Sequence, residues 1–303
     1  YEAQFSLSSC KFSRTDEGID TITKITVSPE DNVEIRSLNI INNREEDAQI
    51  DLISYIESPL CKKEDDISHK AFQNMFLEVK RYKDACILKR KDRSGKNNNK
   101  YLIHFAFSEN NIDEKFDFEI DKSKIIGTGN DLKNAYILSK DRAYGNETFP
   151  NLNTVISYKT NLSILQGEKN TVNYIYGFAS SEEECFQIYE KYHSLDMINR
   201  VYELSFSRSI VENRFLGYKS KEINKYNDLV GQVIEGSSTR KNYEKEIINN
   251  KLKQKDLWKF GISGDIPMIM IKIKNINETE ILNQLIKFSE YINHKNLKID
   301  LII

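Results

Sequence analysis

Hydrophobic and polar residues alternate with a period of two through residues 1–180, and this period predicts β-strands. Turn-forming residues separate the runs, and many short antiparallel strands at this spacing favour a sandwich or a barrel. The predicted strands cover residues 21–27, 33–40, 50–55, 76–82, 85–90, 101–107, 155–164 and 171–178.

Two neighbouring runs carry more detailed predictions. The run 33–40 has its apolar residues at odd positions up to Ile35 and at even positions from Leu38, a change of phase that is typical of a β-bulge. The run 50–55 follows a polar turn, so these two strands are predicted to form a hairpin. The later region 122–153 is predicted to be mostly loop.

The period changes to that of a helix at Ser181. Ser181 and Glu184 have the spacing of a capping box, in which Glu184 reaches back to the N-cap amide. Helices are predicted after Ser181, over 196–213 and over 221–235. The buried face of the first is predicted to consist of Cys185, Ile188, Tyr189 and Tyr192.

The last part of the chain has an α/β pattern. It begins with a predicted buried strand over 268–273, followed by a helix with Asn277 as N-cap and then a strand over 298–303. A strand-helix-strand of this length favours parallel strands. The inward face of the helix is predicted to contain Ile281, Leu282, Leu285, Ile286, Ser289 and Ile292.

Composition narrows the classes of function. A net charge of −2 gives no field that would attract nucleic acid or an anionic membrane, and no apolar run is long enough to span a bilayer. The four cysteines and four histidines show no metal-ligand spacing, so neither a metal nor another cofactor is expected. Unpaired cysteines indicate a reduced, cytoplasmic protein. Of the 46 acids, Asp51, Glu57, Glu119 and Asp121 were weighed as catalytic carboxylates, and none is singled out.

The Gly-rich loop 261–267 follows the only tryptophan, Trp258. Loops of this kind often carry function, and Trp258, Ser263 and Asp265 are the candidate substrate-binding residues. The alternative is a purely structural turn, in which Asp265 or Ser263 bonds nearby backbone amides. No candidate catalytic or metal-binding residue emerges.

Five segments together resemble glycoside hydrolase family 94, and most closely the phosphorylase-like region of cyclic β-1,2-glucan synthases and 1,2-β-oligoglucan phosphorylases. The residues that carry the resemblance are 27–36, 41–43, 52–57, 68–76 and 257–267.

The resemblance implies an antiparallel β-supersandwich of the galactose-mutarotase-like kind over 1–180, a helical linker over 181–256 and a short α/β segment over 257–303. A catalytic (α/α)6 barrel would follow, and it would hold the general acid and the phosphate-binding residues. The implied partners are a β-glucan oligosaccharide and a second copy of the full-length protein, with inorganic phosphate as co-substrate.

Three segments depart from the family pattern. The family's His-Pro-Ala-Phe is His69-Lys70-Ala71-Phe72 here, and its Phe-Leu-Gly-Arg-Gly appears as 125–129 without the arginine. The family's later Asp-Pro element is blurred into 150–153. Two hypotheses stay open. The chain is either the N-terminal part of a phosphorylase or glucan synthase, with both ends cut from a longer protein, or a non-catalytic carbohydrate-binding or scaffold sandwich. Membrane spans upstream of Tyr1 would mark a synthase, and this chain would then lie in the cytoplasmic part of a membrane protein.

Overall fold

The computed structural model describes residues 1–92, 99–110, 114–139, 143–215, 217–236, 238–273 and 279–303. The chain forms two compact units, Tyr1–Ile210 and Val211–Ile303, and each is described by itself. The predicted three-part division at residues 180 and 256 stays a prediction.

An antiparallel sheet of eight strands dominates the first unit, in the order β1-β2-β3-β4-β11-β8-β7-β6. Its strands are β1 Glu2–Phe5, β2 Ser9–Asp16, β3 Ile19–Val27, β4 Val33–Asn42, β6 Leu77–Tyr82, β7 Ala85–Arg90, β8 Lys100–Ser108 and β11 Lys169–Ala179. A smaller antiparallel sheet has the order β5-β10-β9, with β5 Ala48–Ile53, β9 Asp117–Asp121 and β10 Thr154–Ile164.

The two sheets enclose the main apolar core. Leu88, Leu102 and Val172 of the large sheet pack with Ile120 and Tyr158 of the small one, all of them almost inaccessible to water. Burial of this much apolar surface is the main stabilising term for such a sandwich. The predicted mainly β supersandwich is therefore confirmed.

Helices cover the opposite face of the large sheet. Helix α3, Glu182–Tyr192, buries Cys185, Ile188, Tyr189 and Tyr192 against that face, as the sequence predicts. Ile198 and Val201 of α4, Leu195–Phe215, belong to the same core. The central strand β8 of the large sheet is thus buried on both faces, which explains its almost continuous apolar run.

This layering corrects two predictions about β4. Its pairing with β3 and β11 is continuous along the strand, so it contains no bulge. The phase changes because Val33 and Ile35 face the helices, whereas Ile40 faces the second sheet. The predicted hairpin is also wrong: β4 belongs to the large sheet, and the following strand β5 pairs with β10 in the small one.

Two local features of the first unit differ from the sequence reading. The sequence predicted no helix over Lys63–Asn74, where the structure has α1. At the start of α3, the Glu184 amide donates to Ser181 Oγ as predicted, but the Glu184 carboxylate accepts from the amide and hydroxyl of Ser180. The cap therefore extends one residue further upstream than a capping box does.

The region 122–153 is mostly loop, as predicted. Within its described residues it contains the single turn α2, Lys122–Ile125, and a 3-10 turn, Tyr136–Leu138. Ile125, Ile137 and Tyr144 are buried in a small core of its own, which gives this long loop a fixed shape.

The second unit contains α5 Ser220–Glu235, α6 Glu244–Asn249, β12 Met268–Met270, α7 Thr279–His294 and β13 Asp300–Ile302. β12 and β13 pair in parallel, as predicted. The core of this unit forms where Ile223 and Tyr226 of α5 meet Phe288, Tyr291 and Ile292 of α7.

Three details of the second unit were predicted wrongly or fall outside the description. β12 is not buried, since Met270 is 79% exposed. Ile281 and Ile286 are exposed on α7, because the helix turns Phe288 and Tyr291 inward instead. The predicted N-cap Asn277 lies outside the described residues.

Candidate functional site

The candidate substrate-binding residues lie around a 3-10 helix, Gln254–Phe260, in the second unit. Asp256 caps its start by accepting from the Lys253 amide at 2.7 Å. Gly261, at φ 73°, ends the helix in the left-handed conformation that glycine adopts without strain, and the loop 261–267 begins there. We call residues 254–267 the Trp258 loop.

Gln254 connects the two ends of the Trp258 loop. Its side-chain amide donates to Ser263 O at 3.0 Å and to Asp265 Oδ1 at 2.8 Å. The Trp258 indole N–H also approaches Ser263 O, at 3.3 Å. The structure therefore brings Trp258, Ser263 and Asp265 into one small cluster, although their roles as substrate contacts stay a prediction.

Ser263 forms the backbone bond of the predicted structural turn, and the Asp265 carboxylate does not. The Asp265 amide donates to Ser263 Oγ at 3.2 Å, whereas the Asp265 carboxylate accepts from the Gln254 side chain rather than from loop amides. The side chains of Gln254 and Asp265 are both exposed. An exposed hydrogen bond of this kind contributes little to stability, so Asp265 is not the structural anchor of the loop.

The Trp258 loop presents two exposed aromatic rings to solvent. Trp258 is 65% exposed and Phe260 is 69% exposed. An indole offers a large apolar face, which suits the apolar C–H face of a pyranose ring. The hydroxyl of Ser263 and the carboxylate of Asp265 lie beside it and are able to bond sugar hydroxyls.

We expect Gly264→Ala to distort the Trp258 loop more than Gly261→Ala does. Both glycines have a positive φ, but a Cβ at Gly264 would lie 2.9 Å from Gln254 Cγ, whereas a Cβ at Gly261 would meet nothing within 4 Å. Left-handed backbone alone costs roughly 1–2 kcal/mol in each variant. The emission of Trp258, the only tryptophan, reports the distortion. Asp265→Asn serves as the control, because an amide oxygen also accepts from Gln254; equal emission spectra for the two glycine variants would refute the packing argument.

Two of the segments that carry the family resemblance have structural roles in the first unit. In the segment 27–36, Ser28 Oγ lies 2.8 Å and Asp31 Oδ2 lies 2.7 Å from the Tyr192 hydroxyl of α3. The hydroxyl donates its one hydrogen to either of these two acceptors. Lys191 also donates to Asp31, at 2.6 Å. These contacts fasten the helical layer to the sheet, a role that the sequence pattern did not reveal.

Glu57, at the end of the segment 52–57, joins three separate parts of the fold. It accepts from Lys122 of α2 at 2.6 Å, from Lys70 of α1 at 3.1 Å and from the Tyr55 hydroxyl. Partial burial would raise the pKa of Glu57, but the hydrogen bonds from Lys122, Tyr55 and Lys70 outweigh it and hold the pKa at about 2. Glu57 is therefore a structural clamp rather than a proton donor.

The helix α1 is kinked at the residue before the position where the family has proline. His69 has φ −150° and ψ 62°, outside the helical region, and Lys70 follows it. Proline disfavours a helical conformation at the residue before it, and His69 is outside that conformation. The kink thus persists in a chain that carries lysine at this position.

Lys70→Pro is expected to cost less than about 1 kcal/mol of unfolding free energy, since the kink already accommodates proline and only an exposed ion pair with Glu57 is lost. Ser68→Pro, inside the regular first part of α1, is the matched control and should cost the usual ~3 kcal/mol. Urea unfolding of both variants measures the two losses of unfolding free energy. Equal losses would show that the kink is not proline-compatible.

Among the residues that the structure describes, no group of three or more His, Cys, Asp or Glu side chains is arranged to hold a metal ion. No helix that the structure describes is long and apolar enough to cross a membrane.

Comparison with known proteins defines the class. The glycosyl hydrolase 94 supersandwich domain matches residues 1–195, so the chain belongs to glycosyl hydrolase family 94. Over 303 residues it is 23% identical to the cyclic β-(1,2)-glucan synthase NdvB of Rhizobium meliloti (strain 1021). That similarity covers 99% of this chain and 11% of the relative, so the chain spans about a ninth of the relative's length.

Solved structures show weaker similarity. A protein described as a kojibiose phosphorylase from the human microbiome has a TM-score of 0.39 and 9% identity, covering 65% of this chain and 22% of its own. Heparinase III has a TM-score of 0.35 and 10% identity, covering 61% of this chain and 21% of its own.

Proposed function

We propose that this chain is the sandwich-and-linker part of a larger cytoplasmic enzyme that makes or breaks β-glucosidic bonds, with β-1,2-linked glucan as its substrate. Membership of glycosyl hydrolase family 94, together with similarity to a cyclic β-(1,2)-glucan synthase over 99% of the chain, carries this proposal. Four free cysteines support a reducing compartment.

The part that this chain plays is to shape the substrate cleft and the dimer rather than to carry catalysis. In an inverting phosphorolysis a carboxylic acid protonates the leaving oxygen, and phosphate takes the place that water has in hydrolysis. Phosphate is already anionic near neutral pH, so cationic and hydroxyl groups must hold it in line. The Trp258 loop offers a ring and hydroxyl-bonding groups instead, which suits contact with sugar.

The second candidate is a non-catalytic carbohydrate-binding or scaffold sandwich. The exposure of Trp258 and Phe260 favours it, because such rings serve a binding module as well as they serve an enzyme. The two functions differ in whether the protein encoded by the complete reading frame releases a product.

Incubation of linear β-1,2-glucan and phosphate with this chain and with the full-length protein tests the proposal. Glucose 1-phosphate should appear with the full-length protein only. Its release by the 303-residue chain alone would overturn the claim that catalysis lies elsewhere. If the full-length protein neither turns over nor binds the glucan, the functional assignment is overturned.

A further inference from the structure

A polar pocket of about 530 Å³ lies on the first unit, far along the chain from the Trp258 loop. Four segments supply its walls. They are the end of β6 and the turn after it with Arg81 and Asp84, the end of α3 with Tyr189 and the adjoining His193, the residues leading into β9 with Glu114, and the long loop with Asn146. Its volume is in the range of small-ligand sites.

Asp84 is the main acceptor in this pocket. Its Oδ2 lies 3.4 Å from His193 Nε2, while its Oδ1 is enclosed yet has no hydrogen-bond partner among the described residues. Burial would raise the pKa of Asp84, but the neighbouring His193 and Tyr189 outweigh it and lower the pKa. The Asp84 side chain is nevertheless 42% exposed, and a charged carboxylate held beside His193 is a strong acceptor for a ligand hydroxyl.

Arg81 is the main donor. Its guanidinium lies over the Phe118 ring, 4.3 Å from the centroid, and Nη1 donates to the Tyr158 hydroxyl at 3.3 Å. These contacts hold the guanidinium in place. Because Arg81 carries five N–H donors, the fixed group still has donors to offer at the pocket.

The charges of the pocket indicate the class of ligand. Arg81 and Lys115 are balanced by Asp84, Glu114 and Asp117, so the wall alternates donors and acceptors without a strong net field. An ion of either sign would meet repulsion from part of this wall. Hydroxyl groups both donate and accept, and a ligand with several of them fits both kinds of group.

We propose that this pocket is a second, non-catalytic binding site for a neutral oligosaccharide, with Asp84 and Arg81 as its hydrogen-bonding pair. That the sugar is a β-1,2-glucan rests on the proposed function. The site itself rests only on the geometry of the first unit. A glucan chain held here would be anchored to the sandwich independently of the Trp258 loop.

A titration with a β-1,2-linked glucose disaccharide and with the corresponding trisaccharide tests the site. Calorimetry gives the affinity, and the ring-proton NMR signal of His193, one of four histidines, reports whether the sugar enters this pocket. Asp84→Asn should weaken binding about tenfold, since it removes a charged acceptor. Asp16→Asn, an exposed aspartate on β2, is the matched control and should leave the affinity unchanged.

A shift of the His193 signal that saturates with sugar, together with the Asp84→Asn effect, supports the proposal. Lys115→Gln provides a second variant if Asp84→Asn melts at a lower temperature. Binding that Trp258→Ala abolishes and Asp84→Asn does not change would overturn it, while leaving the proposed function intact. No shift of the His193 signal at saturating sugar would also overturn it, and the phosphorolysis assay judges the proposed function separately.

Discussion

Acidification from pH 7 to pH 4.5 is expected to destabilise the sandwich by about 2–3 kcal/mol through His104 alone. His104 is fully buried between the sheets and stacks on Tyr176, with 4.3 Å between ring centroids. Its Nδ1 is 2.9 Å from Ile175 O, and its Nε2 has no partner within the described residues. Burial and the nearby Arg36 charge together lower the pKa of His104 from 6.5 to about 4, although the hydrogen bond to Ile175 O opposes them.

Acidification lowers the free energy of unfolding because the two states of the chain bind different numbers of protons. Between pH 6.5 and about 4 the unfolded chain binds a proton at His104 that the folded protein does not, so stability falls as the pH falls. Glu57 contributes in the same direction, but with a pKa of about 2 its effect develops mainly below pH 4.5.

Urea unfolding at pH 7 and pH 4.5 measures the effect. His104→Phe keeps an aromatic ring against Tyr176 and should remove most of the difference between the two pH values. His294→Phe, at an exposed position on α7, should not. An unchanged pH dependence in His104→Phe would show that another group is responsible.

Gly177→Ala is expected to cost about 1–3 kcal/mol, because α3 packs directly on the backbone of β11 there. A Cβ at Gly177 would lie 2.8 Å from Ile188 Cγ2 and 2.9 Å from Ile103 Cγ2. Real Cβ atoms do not approach so closely, so the helix must move away from the sheet or the side chains must leave their rotamers.

The same substitution at Gly231 is the matched control. Gly231 lies inside α5, where an added Cβ would meet nothing within 4 Å, so Gly231→Ala should stabilise its helix by roughly 0.5–1 kcal/mol. Thermal unfolding should therefore show shifts of opposite sign. Combining Gly177→Ala with Ile188→Ala should cost less than the sum of the single changes, since each relieves the other. Additive losses would refute the contact.

Local periodicity predicted elements well where one face of an element is buried. The face of α3 that contains Cys185 and Tyr192 was predicted residue by residue, and so were most strand positions. Periodicity cannot show pairing, since a strand's partner depends on contacts far along the chain. β4 pairs with β11, whose partner residues lie more than 120 positions away, and no local signal indicated this.

The change of phase in β4 illustrates a second limit. A bulge and a strand buried on different faces at its two ends produce the same apolar pattern, so Val33, Ile35 and Ile40 alone do not distinguish them. The helix α1 was missed for a different reason: its sequence is polar, and its kink at His69 interrupts the helical period.

At the candidate site, the sequence identified residues that the fold brings together but not how they bond. Trp258, Ser263 and Asp265 are close in sequence, so their proximity follows from the tight turn. The role of Gln254 was not predicted, because a glutamine before a Gly-rich loop carries no recognisable pattern. The pocket at Asp84 joins residues 81 to 193, which only the folded chain brings together.

In the proposed function, the chain contacts β-1,2-glucan while catalysis lies elsewhere in the full-length protein. The steady-state kinetics of full-length Trp258→Ala on linear β-1,2-glucan test this proposal most directly. Loss of a stacked ring should raise KM by roughly two- to tenfold and leave kcat unchanged. Phe215→Ala, which removes a ring that is 88% exposed in the same unit, should change neither constant. A KM for Trp258→Ala equal to that of the unmodified protein would contradict the claim.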